Sequence, residues 1–404
     1  MIKNTTVHVT LKDLYFGVIC VFPIVTMLTD EGVLNKLLFG ILLGLHICIA
    51  LSSPMRKNTF LGLLVLGVNY VFAIYSTKVP LNTINLLFYL LFYFLYTYYM
   101  CDNNETAIDW FTRHSVFVEF VVALWTVLVG ISIFVPSCYY LKEGGSLYFG
   151  SFCVSIFRLG PSAVFIQVMA IALSVLHGKK GALLYMIIPM YCFLMGSSRT
   201  YLVVGLCLFA IAWYFTCKKR AVFWCTIIPM AVLVLMIVAV SSMGDKIAYT
   251  LDDSQYGDFW FRITSGRSMI WEVILMFWKE KSVFNKLLGS GLEFTVQVAS
   301  VWAHNDFLEI LCSFGIIGLV QYLYSVKRLY KYSYKKVRIP FFIKACAFMV
   351  WFFNAFFNMH YVYFCAMLSY PIVLSVIRVY FEKNPMKEKW KPDMALEQIG
   401  QNAV

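Results

Sequence analysis

The residues of this chain that could do chemistry are one histidine and a set of arginines. The histidine stands in Trp302-Ala303-His304-Asn305-Asp306-Phe307-Leu308-Glu309, at the mouth of an apolar run. On a helix Asn305 and Glu309 are four residues apart and share a face. Glu309 then falls a turn or more into the apolar stretch, where an ionisable group is costly and points to a water-filled cavity or a charged partner. An imidazole, with an ordinary pKa of about 6.5, can accept a proton near neutral pH. The arginines are Arg158 in Phe157-Arg158-Leu159-Gly160-Pro161, Arg199 in Gly196-Ser197-Ser198-Arg199-Thr200, Arg262, and Arg267 in Ser265-Gly266-Arg267. A guanidinium is a permanently charged planar fork that suits phosphate oxygens. A plainer reading stays open, in which His304 is an interfacial cap, Glu309 pairs with a structural arginine and Arg199 anchors a helix end.

Whatever positions these residues lies in a membrane. Of 404 residues 61% are hydrophobic and 13% charged, with a mean hydropathy of +0.76, against roughly 45–50% and about 25% in soluble domains. This excludes a soluble enzyme or a disordered chain. The apolar runs are continuous, without the alternation of barrel strands, so the spans are helices. The expectation is an all-α polytopic membrane protein, residues 1–404 forming one integral membrane domain of about 12 transmembrane helices. The runs are 14–28, 37–51, 60–75, 84–100, 116–135, 163–176, 182–195, 201–216, 221–240, 307–324, 341–357 and 361–379.

Lys and Arg favour cytoplasmic loops. With Lys3 and Lys12 inside, the same side receives Arg56, Lys57, Arg113, Lys179, Lys180, Lys218, Lys219, Arg220 and the basic residues from Lys327 to Arg338. The opposite loops are poor in cations. Both termini are therefore expected in the cytoplasm, and much of the +12 net charge reflects topology rather than nucleic-acid binding. The first run lacks a small-residue cleavage site before Thr29-Asp30-Glu31 and reads as an uncleaved anchor. Residues 381–404 read as a cytoplasmic tail.

The longer external segments are 136–162 and 241–306. The second carries an amphipathic helix from Ser268 to Trp278, opened by Ser265-Gly266-Arg267. Cys138 and Cys153 share the first segment, where an oxidising exterior would permit a disulfide; the remaining cysteines read as buried small hydrophobes. Tyr98, Tyr99, Tyr139, Tyr140 and Trp302 fall where an interfacial aromatic belt is expected. Asp252-Asp253 reads as a solvated pair, and no cluster resembles a metal site. Arg199, Arg262, Arg267 and His304 share one membrane side.

The order Ser-Ser-Arg-Thr at 197–200, Ser-Gly-Arg-x-x-x-Trp at 265–271, Gly-x-Gly at 289–291 and His-Asn-x-Phe-Leu-Glu-x-Leu-x-x-x-Gly-x-x-Gly at 304–318 resembles the bacterial O-antigen polymerase and O-antigen ligase superfamily. The resemblance covers roughly residues 195–320. It implies a GT-C-like glycosyltransferase of the bacterial inner membrane, with 241–306 as its periplasmic loop and its active site on the periplasmic face. The donor and acceptor would be undecaprenyl-pyrophosphate-linked oligosaccharides, with membrane lipid around them and a chain-length-regulating co-polymerase as a further partner. The resemblance assigns Arg199 and Arg267 to the pyrophosphate and His304 to the acceptor hydroxyl. Asn305 and Glu309 would orient the histidine or contact sugar, and Arg158 and Arg262 are additional substrate-binding candidates. It implies neither cofactor nor metal. A repeat-unit polymerase is favoured; a ligase to lipid A–core, a flippase for the same lipid-linked sugars and a non-catalytic scaffold are the alternatives.

Overall fold

The computed structural model describes residues 9–28, 33–53, 55–77, 84–141, 147–217, 219–252, 257–334 and 337–385. Lys3, Lys218 and Asp253 lie outside the described residues, as does the expected tail from 386 onward. The first part of the chain is helical: α1 (Leu11–Leu28), α2 (Val33–Ser52), α3 (Lys57–Ser76), α4 (Ile84–Arg113) and α5 (Ser115–Ser132). A small antiparallel hairpin pairs Tyr139–Leu141 with Leu147–Phe149. There follow α6 (Ile156–His177), a 3-10 stretch Lys180–Met186 leading into α7 (Ile187–Met195), α8 (Arg199–Thr216) and α9 (Arg220–Ala239). Five short helices come next: α10 (Ser242–Leu251), α11 (Phe259–Thr264), α12 (Arg267–Lys279), α13 (Val283–Leu288) and α14 (Phe294–Ala299). The chain ends in α15 (Asp306–Ser333), α16 (Phe341–Phe357) and α17 (Phe364–Lys383).

This is an all-α polytopic membrane protein. Among the described residues, eight helices are long and apolar enough to cross a membrane, and Lys36–Ser52, Lys180–Met195 and Phe341–Phe357 form shorter apolar helices. Burial sorts the long ones. α17 and α6 have 94% and 83% of their apolar windows buried and pack together at the centre, whereas α9, at 11%, runs along the outside. Both central helices carry a proline, Pro161 in the first turns of α6 and Pro371 in α17.

Several expectations are corrected. Segment 136–162 is not an unstructured loop: it holds the hairpin, and its last residues already belong to α6, so Arg158 sits in a first helical turn. Segment 241–306 holds five helices rather than one; the expected amphipathic helix is α12, two residues longer in all than Ser268–Trp278. Cys138 and Cys153 are both buried and unpaired. Tyr98 and Tyr99 are buried within the protein. The terminal helix runs on to Lys383, past the expected start of the tail.

The run 307–324 is not one straight helix either. α15 breaks at Gly315 (φ 69°, ψ −171°), a backbone conformation essentially reserved for glycine. The break lets the 287–289 backbone press in: a Cβ on Gly315 would lie 2.3 Å from the Leu287 carbonyl oxygen, and one on Gly289 2.1 Å from that of Ser313. Ser290 N–H then donates to the Cys312 carbonyl (2.8 Å), using an acceptor that the break frees.

The two ends of α15 lie in different chemical surroundings. Near its C-terminal end the buried Arg328 pairs with Asp102 (3.6 Å) and donates to Thr59 (2.8 Å), while Arg56 reaches the same carboxylate (3.3 Å). Asp306 begins the helix 22 residues earlier, on the other side of the Gly315 break. Gly315→Ala is expected to destabilise the protein by about 1–3 kcal/mol or more, read as a lowered unfolding temperature in detergent. Gly67→Ala, in α3 with nothing within 4 Å of the added methyl, is the control. An unchanged midpoint for Gly315→Ala would remove the claim that glycine is required at the break.

Candidate functional site

Arg199 begins α8. Its Nη1 donates to Thr250 Oγ1 (2.8 Å), and its Nη2 donates to Ser265 Oγ (2.6 Å) and the Arg262 carbonyl (3.2 Å). One side chain thus joins the start of α8 to the end of α10 and the α11–α12 corner. That corner is made by two consecutive left-handed residues, Ser265 (φ 56°) and Gly266 (φ 81°), which reverse the chain so that α12 begins at Arg267. Arg267 Nη1 donates to the carbonyl of Phe357, the last residue of α16.

Arg199 and Arg267 line one cavity of about 280 Å³. Ser197, Ser198 and Ser265 add hydroxyls to its wall; Phe353, Phe357 and Val203 make it apolar on the side of α8 and α16. No aspartate or glutamate is among its described lining residues. Both guanidiniums are half-buried and satisfied only by neutral oxygens. The desolvation of a buried charge is usually offset by a counter-charge, and the described lining of this wall supplies none.

His304 is not among the residues lining the cavity, but it is close enough to Arg267 to feel its charge. Its backbone is left-handed (φ 48°), uncommon for a residue with a side chain and held here from both sides. The preceding residue, Ala303, is fully buried. Its carbonyl accepts from Trp271 Nε1 (2.7 Å), and its N–H points at Glu309 Oε2 (3.5 Å), which also accepts from Thr295 Oγ1 (2.7 Å). Trp271 stacks edge-on against Phe356. The Ser-Gly-Arg-x-x-x-Trp spacing therefore serves two walls at once, Arg267 turning to the cavity and Trp271, one helical turn on, gripping the histidine loop.

The other candidates fall into place around this pair. Asn305 caps α15, its Oδ1 accepting from Leu308 N–H (3.1 Å). Glu309 braces the loop and, among the described residues, pairs with no arginine. Asp306, fully buried, accepts a 2.5 Å hydrogen bond from Tyr322 Oη, which in turn accepts from Trp351 Nε1 (3.2 Å). Arg262 is buried and donates to the carbonyls of Thr250 (3.0 Å) and Gly257 (2.7 Å). It braces the loop that carries Arg199's partners and is not among the cavity-lining residues. Arg158 is not among them either, although its neighbours Ile156 and Phe157 are.

Two lining residues escaped the sequence reading. Lys246 on α10 donates to the Ser197 carbonyl (2.8 Å) and adds a third cationic side chain to the wall; its sequence neighbourhood has no pattern that separates it from a solvated lysine. Asn358 lines the cavity from the α16–α17 turn. Its one signal was polarity, Asn354, Asn358 and His360 interrupting an aromatic run.

Comparison with protein-family models gives no match, and comparison with curated proteins returns no significant relative.

Burial, and secondarily the charge of Arg267, lower the His304 pKa to about 4. The imidazole is therefore neutral at pH 7. Because the depression has these two causes, Arg267→Gln is expected to raise the value, and burial to keep it below about 6.5. Imidazole NMR of the substrate-free protein, with His304 assigned by substitution, reads this directly. Titration of the wild-type residue at or above 6.5 would show that it is neither desolvated nor beside a cation.

Proposed function

We propose that this chain is a polymerase of lipid-linked surface polysaccharide, of the O-antigen type, joining undecaprenyl-pyrophosphate-linked repeat units. The observation that carries the reading is the pair of guanidiniums in one cavity, held by neutral oxygens among the described residues, with an apolar wall beside them; the neutral His304 imidazole lies outside that lining but within reach of Arg267's charge. A phosphate ester on a long hydrocarbon suits that combination: the anion faces the arginines and the chain lies against Val203, Phe353 and Phe357. The order of motifs from Ser197 to Gly318 supports the sugar-transfer assignment. A GT-C-like architecture with about 12 spans, both termini in the cytoplasm and the site on the periplasmic face of a bacterial inner membrane belongs to the same proposal.

The reaction needs two things from the protein. The acceptor hydroxyl oxygen forms a bond to the donor's anomeric carbon as the bond from that carbon to the pyrophosphate oxygen breaks, the electron pair leaving with the lipid pyrophosphate. Arg199 and Arg267, with Lys246 on the same wall, stabilise the negative charge that collects on the departing oxygen. The hydroxyl proton passes to the His304 imidazole, which is neutral and so able to take it. Glu309 and Trp271 hold the histidine loop, and Asn305 fixes the start of α15. A single displacement inverts the anomeric configuration.

Purified protein in proteoliposomes with defined undecaprenyl-pyrophosphate repeats is expected to lengthen the glycan. Arg199→Ala, Arg267→Ala and His304→Ala should each lower the rate by about 100-fold or more, without loss of folded protein. Full activity in all three variants would end the proposal, and activity that requires a divalent ion would end the metal-free form of it. In cells, deletion of a polymerase leaves one repeat on the lipid core, whereas deletion of a ligase leaves none.

A further inference from the structure

The C-terminus of α16 holds a polar group that none of the described residues satisfies. Asn358 donates its backbone N–H to the Asn354 carbonyl (3.2 Å) and then leaves the helix with extended geometry (φ −139°, ψ −156°). The side chain is 2% exposed, and its amide Nδ2 has no hydrogen-bond partner. Asn354, one turn earlier, shows the ordinary solution: its Nδ2 donates to the Val350 carbonyl (2.8 Å). For Asn358 the equivalent acceptor is Asn354's carbonyl, which takes Asn358's own backbone N–H but not its side-chain amide. Buried amides are nearly always paired, and the exceptions call for an explanation.

Position supplies one. Asn358 lines the cavity shared by Arg199 and Arg267, and the carbonyl of the residue before it, Phe357, is the acceptor that orients Arg267. A residue with an unpaired amide therefore stands beside a guanidinium on a wall that has no carboxylate among its described residues. We propose that Asn358 is a substrate-binding residue whose side-chain N–H donates to a phosphate oxygen of the lipid-linked anion, adding a contact from the α16–α17 turn to those from α8 and α12. This rests on the pyrophosphate reading of the cavity and extends it. A guanidinium opposes charge wherever it is placed, whereas an amide in a fixed turn adds direction without adding charge.

The test measures binding rather than turnover. Full-length protein in lipid nanodiscs is titrated with farnesyl pyrophosphate, with farnesol as the uncharged control. Wild type should bind the pyrophosphate in preference to the alcohol, and Arg267→Ala should lose that preference. Asn358→Ala should bind about tenfold or more weakly, the loss expected for a hydrogen bond to a charged group. Asn358→Asp, equal in size and so the safer variant for folding, should bind more weakly still, because a carboxylate repels the phosphate. Unfolding midpoints near that of wild type confirm that each variant is folded. Wild-type affinity in both Asn358 variants, with loss in Arg267→Ala, overturns this inference and leaves the pyrophosphate reading standing. Loss in Asn358→Ala but not in Asn358→Asp overturns the donor role, since only an acceptor function survives that exchange. Equal binding of farnesyl pyrophosphate and farnesol by wild type overturns the reading of the cavity itself.

Discussion

Two positive charges held by neutral oxygens are the constraint on which this molecule turns. In an apolar body a guanidinium is costly unless something negative offsets it. The protein meets that condition elsewhere. Arg328 and Arg56 share Asp102, Lys179 pairs with Glu119, and Arg378 lies by Glu105 and Glu382. Of these, the buried Arg328 and the largely buried Arg378 follow the ordinary rule that buried charge is paired. Arg199 and Arg267 follow a different rule: hydroxyls and carbonyls orient them, and no carboxylate lines their cavity among the described residues. One chain applies both arrangements, so the second is not a general tolerance for unpaired arginine. It is a local departure, and such departures are expected at functional or strained sites.

The rest of the architecture serves to keep that departure in place. The arginines come from different helices, α8 and α12, and each is tied to a third element: Arg199 to the α10 and α11 ends, Arg267 to the end of α16. The histidine loop is tied in turn to α12 through Trp271 and to α14 and α15 through Glu309. Glycine at 289 and 315 lets backbone meet backbone where any side chain would collide, which sets how deeply the 287–291 loop seats against α15. Sites positioned by several locked elements are more precise than sites on one loop, and here the short helices between α9 and α15 supply that locking.

How much of this the sequence showed depends on how local each feature is. Membrane residence and the helical class follow from apolar composition and run length, which need no tertiary information. The start of α12 at Arg267 was legible because Ser265-Gly266 is a local turn signal. The Ser-Gly-Arg-x-x-x-Trp and histidine runs could be noticed as runs, yet what Trp271 does, holding a carbonyl 32 residues away, is tertiary and invisible to spacing. The break at Gly315 has no local signal, because Gly315 and Gly318 look alike in a helical register and only one has a positive φ. Arg262 had no motif of its own and Arg199 had one; burial and partners separate them further, one bracing a loop and the other lining the cavity. Lys246 and Asn358 carry no local signal strong enough to single them out, since what distinguishes them is the company the fold brings.

The low basicity of His304 then acquires a meaning in the proposed reaction. A base held at a pKa of about 4 is neutral at any physiological pH, but it is a weak acceptor for a hydroxyl proton. One of the causes of its depression is Arg267, a residue that would itself hold the donor's pyrophosphate. An anion against Arg267 offsets the guanidinium's field at the imidazole, and the histidine's affinity for a proton rises as a result. In the proposed reaction the arrival of the donor would relieve the Arg267 part of the depression, while the larger part, due to burial, would remain. Proton transfer and pyrophosphate binding become coupled through one arginine, a coupling that needs no moving part and follows from the order in which imidazole, guanidinium and cavity are arranged.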